Sequence, residues 1–123
     1  EKEAIQREDL LGVPLICSRQ AISGERRGNE FAEWFGGDFD KLDIVTTFNL
    51  VYNAAIMVEA GVGYAVTIDK IAPTSEDSIL CFRPLEPPLD AGLNIIWKKY
   101  QVFSPAAELF LEKLRERFSD PEL

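Results

Sequence analysis

Leu42-Asp43-Ile44-Val45-Thr46-Thr47, then Phe48-Asn49-Leu50-Val51-Tyr52-Asn53-Ala54-Ala55-Ile56-Met57-Val58-Glu59-Ala60, then Gly61-Val62-Gly63, then Tyr64-Ala65-Val66-Thr67-Ile68: these consecutive segments decide the fold. The first is short, apolar and β-branched, which predicts a buried strand. The second is rich in Ala, Leu, Met and Ile and has the length of an ordinary helix. Gly61 follows its last apolar residue and can take the left-handed conformation that closes a helix. The last segment is again strand-like. Strand, helix and strand with short joints predict a right-handed βαβ unit in a parallel sheet.

Such a unit also says where to look for function. In open α/β sheets, ligands sit beyond the carboxyl ends of strands, where helix N-termini present free backbone N–H groups. Here that place is Thr46-Thr47-Phe48-Asn49. Asn49 is expected as the N-cap, and the two threonine hydroxyls can donate or accept hydrogen bonds. The other reading of the same residues is plain capping of a structural helix.

The chain has 123 residues, enough for one small domain, and its apolar content is that of a globular protein. A net charge of −8 argues against this segment gripping nucleic acid by itself, because phosphate contacts need clustered Lys and Arg. It leaves room for a separate DNA-binding domain in the same protein. No run is long and apolar enough to span a membrane, and no signal peptide is visible. A start at Glu1 without methionine is compatible with a fragment that has lost a signal or another domain upstream. Cys17 and Cys81 both sit in apolar runs and are expected to be buried free thiols. Histidine is absent, which removes Ser-His-Asp and Cys-His catalysis and the commonest zinc ligand sets. No cofactor and no metal site are expected.

Residues 1–9 are mostly charged and predict a frayed or extended lead-in. Residues 12–18 predict a strand starting at Pro14 and ending in the polar cluster Ser18-Arg19-Gln20. If it runs parallel to the central strand, that cluster shares a sheet edge with Thr47 and Asn49. Residues 23–28 form a polar loop. Phe31, Trp34 and Phe35 share one face of a short helix, capped by Asn29, and are expected in the core. Asp38, Asp40 and Asp43 lack the spacing of a calcium loop and read as a solvated turn. Residues 69–71 read as a helical turn, 72–77 as loop and 78–84 as a strand stopped by proline. Residues 85–89 are expected to be irregular because prolines remove donors and fix φ. Residues 93–100 predict a last strand. Ser104 and Pro105 open a helix whose apolar face carries Leu109, Phe110, Leu111, Leu114 and Phe118. About five strands alternate with three helices, which predicts an α/β fold with a mostly parallel sheet flanked by helices.

The segments Asp9-Leu10-Leu11-Gly12-Val13-Pro14-Leu15-Ile16 and Val58-Glu59-Ala60-Gly61-Val62-Gly63, followed by Trp97-Lys98-Lys99 and a Ser-Pro-started helix, resemble the effector-binding half of LysR-type transcriptional regulators. The aliphatic–small–small–Gly–X–Gly run is the most specific piece, and the matches cover nearly the whole chain in order. The resemblance implies a periplasmic-binding-protein-like (type 2) fold with two α/β subdomains and an effector cleft between them. It makes residues 8–96 the second subdomain and residues 97–123 a returning strand and C-terminal helix that complete the first. The winged helix-turn-helix, the linker helix and most of the first subdomain are not in this sequence. The resemblance further implies effector contacts at Ser18 and Arg19 and at Thr47, Phe48 and Asn49.

The function expected is effector sensing by a cytoplasmic bacterial transcription factor. Its partners would be a small, anionic metabolite, DNA only through the missing N-terminal domain, and further copies of itself, with no membrane partner. The alternative is a lobe of an extracytoplasmic solute-binding protein. An enzyme is not expected: there is no nucleophile elbow, phosphate loop or metal cluster. The apolar face of the last helix predicts self-association or docking onto the chain's own sheet.

Overall fold

The computed structural model describes residues 2–23, 30–72, 74–75, 77–92 and 95–118. The expected cap at Asn29 and the first residues of the expected last strand, Leu93 and Asn94, lie outside them. The chain divides into two compact units, Glu1–Ala91 and Gly92–Leu123. In chain order the first unit contains β1 (Ile5–Gln6), a 3-10 helix (Arg7–Leu10), β2 (Leu15–Ser18), α1 (Arg19–Ser23) and α2 (Glu30–Phe35). A second 3-10 helix (Gly36–Lys41), β3 (Ile44–Phe48), α3 (Val51–Glu59), β4 (Tyr64–Val66) and β5 (Leu85–Glu86) follow.

The predicted β3–α3–β4 unit is present, and its strands are parallel members of one sheet. They are not hydrogen-bonded to each other, however. The order is β3-β2-β4, with β2 in the middle. The reason lies in composition. Leu15, Ile16 and Cys17 are apolar on both faces of the strand and all are fully buried, as a central parallel strand requires. Leu15 and Cys17 face a core with Leu10, Phe31, Trp34 and Phe35. Ile16 faces the opposite core, with Phe48 and Ala54.

An irregularity in β3 serves both cores. The register pairs Leu15 with Ile44 but Ile16 with Thr46, so Val45 is an extra residue. Without it, Ile44 and Phe48, an even number apart, would lie on the same face. The bulge sends Ile44 to the aromatic core and Phe48 to the α3 side.

α3 starts later than the sequence suggests. Its N-cap is Leu50, whose side chain makes no capping bond, and Asn49 is an exposed turn residue. The Leu50 carbonyl accepts from the Asn53 N–H at 3.0 Å. A side-chain cap is worth about 1 kcal/mol. Burying a phenylalanine is worth about 2–3 kcal/mol. Phe48 therefore completes β3 opposite Ser18, and the helix start shifts past Asn49. The far end follows the sequence reading. Gly61 has φ +75°, its N–H donates to Val58 O at 2.9 Å, and the Val62 N–H donates to Met57 O at 3.0 Å. These bonds are those of a Schellman motif.

The aromatic core is built as expected on α2. Phe31 stacks on Trp34 with centroids 6.1 Å apart and meets Phe39 edge-on at 5.7 Å. The Trp34 Nε1–H donates to Pro87 O at 2.7 Å, and the Arg7 guanidinium lies 5.2 Å above the indole. Trp34 thereby joins the lead-in and the proline-rich segment to α2.

The lead-in is extended at Ile5–Gln6, as expected, whereas the proline-rich segment is not irregular throughout. Ile5–Gln6 and Leu85–Glu86 form a two-stranded parallel sheet, and the Ile5 N–H donates to Pro84 O at 2.8 Å. Proline lacks an N–H but keeps its carbonyl, so it can accept from a neighbouring strand. Residues 78–84, read as a strand, form no ladder. Asp9 is tied to Lys2 and accepts from the Gln6 N–H at 3.0 Å; both contacts hold its carboxyl below the ordinary carboxylate range. Asp38 pairs with Lys41 at 2.7 Å on the surface, as a solvated turn should.

The cysteines separate. Cys17 is buried, whereas Cys81 is exposed because residues 78–84 do not join a sheet. Burial pushes the Cys17 thiol from 9.0 up to about 11. Below pH 9 the thiol is neutral in both states. Above it the unfolded chain releases a proton that the fold retains, so stability should fall as pH rises towards 11, by on the order of 2 kcal/mol. In the folded protein at pH 8, a disulfide reagent should modify Cys81 at once and Cys17 only on unfolding. Two thiols reacting at equal rates would refute this.

The second unit contains α4 (Pro105–Phe118). It starts as the sequence predicts. Ser104 Oγ accepts from the Ala107 N–H at 3.3 Å, and its carbonyl accepts from the Glu108 N–H at 3.0 Å. Phe110 and Phe118 are exposed. The expected last strand is absent among the described residues: Ile95–Lys98 pairs with no strand and Lys99–Tyr100 is a turn. Ile96 and Tyr100 are nearly fully exposed. A strand exists only with a neighbour for its N–H and C=O groups, and the described residues supply none here.

Candidate functional site

Three parallel strands present their carboxyl ends at one edge of the β3-β2-β4 sheet. The register sets Cys17 level with Thr47 and Val66, and Ser18 level with Phe48. Ser18 and Phe48 are thus neighbours across β2 and β3, and Arg19 and Asn49 are the next residues of their chains. The five residues singled out from the sequence therefore converge from two separate segments onto one edge.

Their environments differ. Phe48 is buried in the α3-side core and shapes the floor of the edge rather than its surface. Ser18 and Thr47 are half-buried, while Arg19 and Asn49 are exposed. Arg19 is the first residue of α1, a helix that the sequence reading missed because five residues are too few to show a period. Thr47, Phe48 and Asn49 form the end of β3 and the turn after it, not the start of α3.

One residue at this edge escaped the sequence reading. Thr67 follows the last residue of β4, and continuing the register places it level with Ser18. Its Oγ1 is buried with no hydrogen-bond partner among the described residues. Only its position was legible, since each strand of a parallel sheet contributes its carboxyl end and a threonine follows β4; its unpartnered hydroxyl was not.

The edge offers the Ser18 hydroxyl on the α3 face, the Thr47 hydroxyl on the opposite face, and the Arg19 cation and Asn49 amide in the residues that follow, all of which can donate hydrogen bonds. Among the described residues, no group of three or more His, Cys, Asp or Glu side chains could hold a metal ion. No helix there is long and apolar enough to cross a membrane. A surface groove of about 620 Å³ between Lys2, Gln6, Pro84 and Pro88 does not include the edge residues.

A family model described as the LysR substrate binding domain matches residues 1–119. No curated protein and no solved structure matches the chain. The family has the periplasmic-binding-protein-like (type 2) fold, in agreement with parallel strands flanked by helices. With 119 of its 123 residues covered, the chain belongs to the LysR substrate-binding domain family, the effector-sensing part of LysR-type regulators.

Proposed function

We propose that this chain senses a small anionic metabolite at the carboxyl edge of β2 and β3, with Ser18, Arg19, Thr47 and Asn49 as its contacts and Phe48 as the floor beneath them. Residues 8–96 act as the second subdomain of the effector domain, and residues 97–123 return to the first. Effector captured between the subdomains alters their geometry, and through it the DNA contacts of a helix-turn-helix elsewhere in the protein. The protein works in the cytoplasm as a homo-oligomer. The observation that supports the edge most is the Ser18–Phe48 register, which gathers two distant segments of complementary chemistry at the place where parallel sheets bind ligands. Exposure of Trp97, Phe110 and Phe118 supports self-association, since apolar surface of that kind favours burial.

The test is a calorimetric titration with small carboxylates (acetate, lactate and succinate) and their neutral amides, with light scattering on the same samples. Carboxylates should bind and the amides should not. Arg19→Ala and Asn49→Ala should each weaken binding about tenfold, the effect of losing about 1.4 kcal/mol. Binding of the amides alone would refute the anion assignment. A strictly monomeric particle would refute the oligomer.

A further inference from the structure

Thr67 carries the chemistry of the edge one strand further. Its Oγ1 is buried without a hydrogen-bond partner among the described residues, and almost none of its surface is open to solvent. A hydroxyl in that state destabilises the fold. Folded interiors keep few such groups, and those they keep call for a reason. Packing alone is a poor one, because valine fills the same volume without the cost. The residue as a whole retains part of its surface in solvent. Rotation about its Cα–Cβ bond moves the hydroxyl between staggered positions, and threonine populates more than one of them readily.

We propose that Thr67 is a specificity-determining contact of the effector edge, whose hydroxyl turns outward and donates its proton to a carboxylate oxygen of the bound metabolite. The inference rests on the effector reading and adds the third strand to it. Ser18 and Thr67, level with each other on the α3 face of the sheet, then supply one hydroxyl each from β2 and β4, and Arg19 supplies the only full charge among the proposed contacts. One cation with several neutral donors matches a single carboxylate: the charge is balanced once, and the remaining oxygen lone pairs are met by dipoles. A ligand offering a methyl or amide NH₂ in that place would leave the hydroxyl as poorly placed as before, which is the source of the selectivity.

The test compares Thr67→Val and Thr67→Ser with the wild-type chain, using acetate, lactate and succinate as probes and thermal unfolding without ligand as control. Thr67→Val should lose about tenfold in affinity for the carboxylates that the wild type binds, and Thr67→Ser should regain most of it. Without ligand, the midpoint of Thr67→Val should equal or exceed that of the wild type. A lowered midpoint would show that the hydroxyl serves the fold, and would overturn the proposal. Unchanged affinity in Thr67→Val, with affinity lost in Arg19→Ala, would overturn the role of Thr67 and leave the edge intact. A wild-type chain that binds none of the probes would overturn both.

Discussion

Replacing Gly63 with alanine is expected to destabilise the first unit by about 3 kcal/mol. That would lower its unfolding midpoint by more than about 10 °C. An added Cβ would lie 3.0 Å from the carbonyl carbon of Pro14, and closer still to its oxygen. That oxygen accepts the Tyr64 N–H at 2.9 Å, the bond that starts the β2–β4 ladder. Backbone cannot swing aside as a flexible side chain does, so relief requires β4 to part from the central strand. Gly61→Ala is the comparison. Nothing lies within 4 Å of its added Cβ, and only the φ of +75° is uncomfortable. That should cost about 1 kcal/mol. The two glycines of one Gly-X-Gly run are thus needed for different reasons. Urea unfolding of both variants checks this; equal costs would show that the contact with Pro14 is not what Gly63 is for.

The second large effect is expected at Trp34. Trp34→Ala should cost about 3–5 kcal/mol, enough to threaten a domain of this size. Three losses coincide: the ring's contacts with Phe31 and Phe35, the Nε1–H bond to Pro87 O, and the surface beneath the Arg7 guanidinium. Arg7 Nε is already buried without a hydrogen-bond partner among the described residues, so removing the indole leaves that cation worse placed. Trp34→Phe separates the contributions. It keeps most of the apolar area and deletes the donor, and should cost about 1–2 kcal/mol. Far-ultraviolet circular dichroism follows both variants without relying on the deleted fluorophore. A cost below about 1 kcal/mol for Trp34→Ala would mean that the aromatic core is not what holds the lead-in and the proline-rich segment to α2.

These effects trace which features were legible in the sequence. Gly61 closing α3, Ser104 capping α4, and Phe31, Trp34 and Phe35 on one buried face are local patterns, each decided within a turn or two of chain. Asn49 shows the limit of local reasoning. By propensity it should cap α3, but the burial of Phe48 opposite Ser18 outweighs the cap and moves the helix start. Residues 78–84 show it again. Their apolar content suits a strand, yet no neighbouring strand takes them, and Cys81 is left in solvent.

The candidate edge divides in the same way. Ser18, Arg19, Thr47, Phe48 and Asn49 could be chosen from the sequence because ligand edges lie at strand carboxyl ends. Thr67 could not, because its unpartnered hydroxyl exists only once β4 lies beside β2. The sequence by itself determined the α/β class, the parallel strands and the helix closures, since these follow from periodicity and from the conformations open to single residues. Only the tertiary structure decided that β2 is central, that Val45 is a bulge, and that three separate strand ends form one row. Those outcomes depend on which distant segments compete for the same hydrogen bonds and the same buried volume, and burial then outweighs local preference.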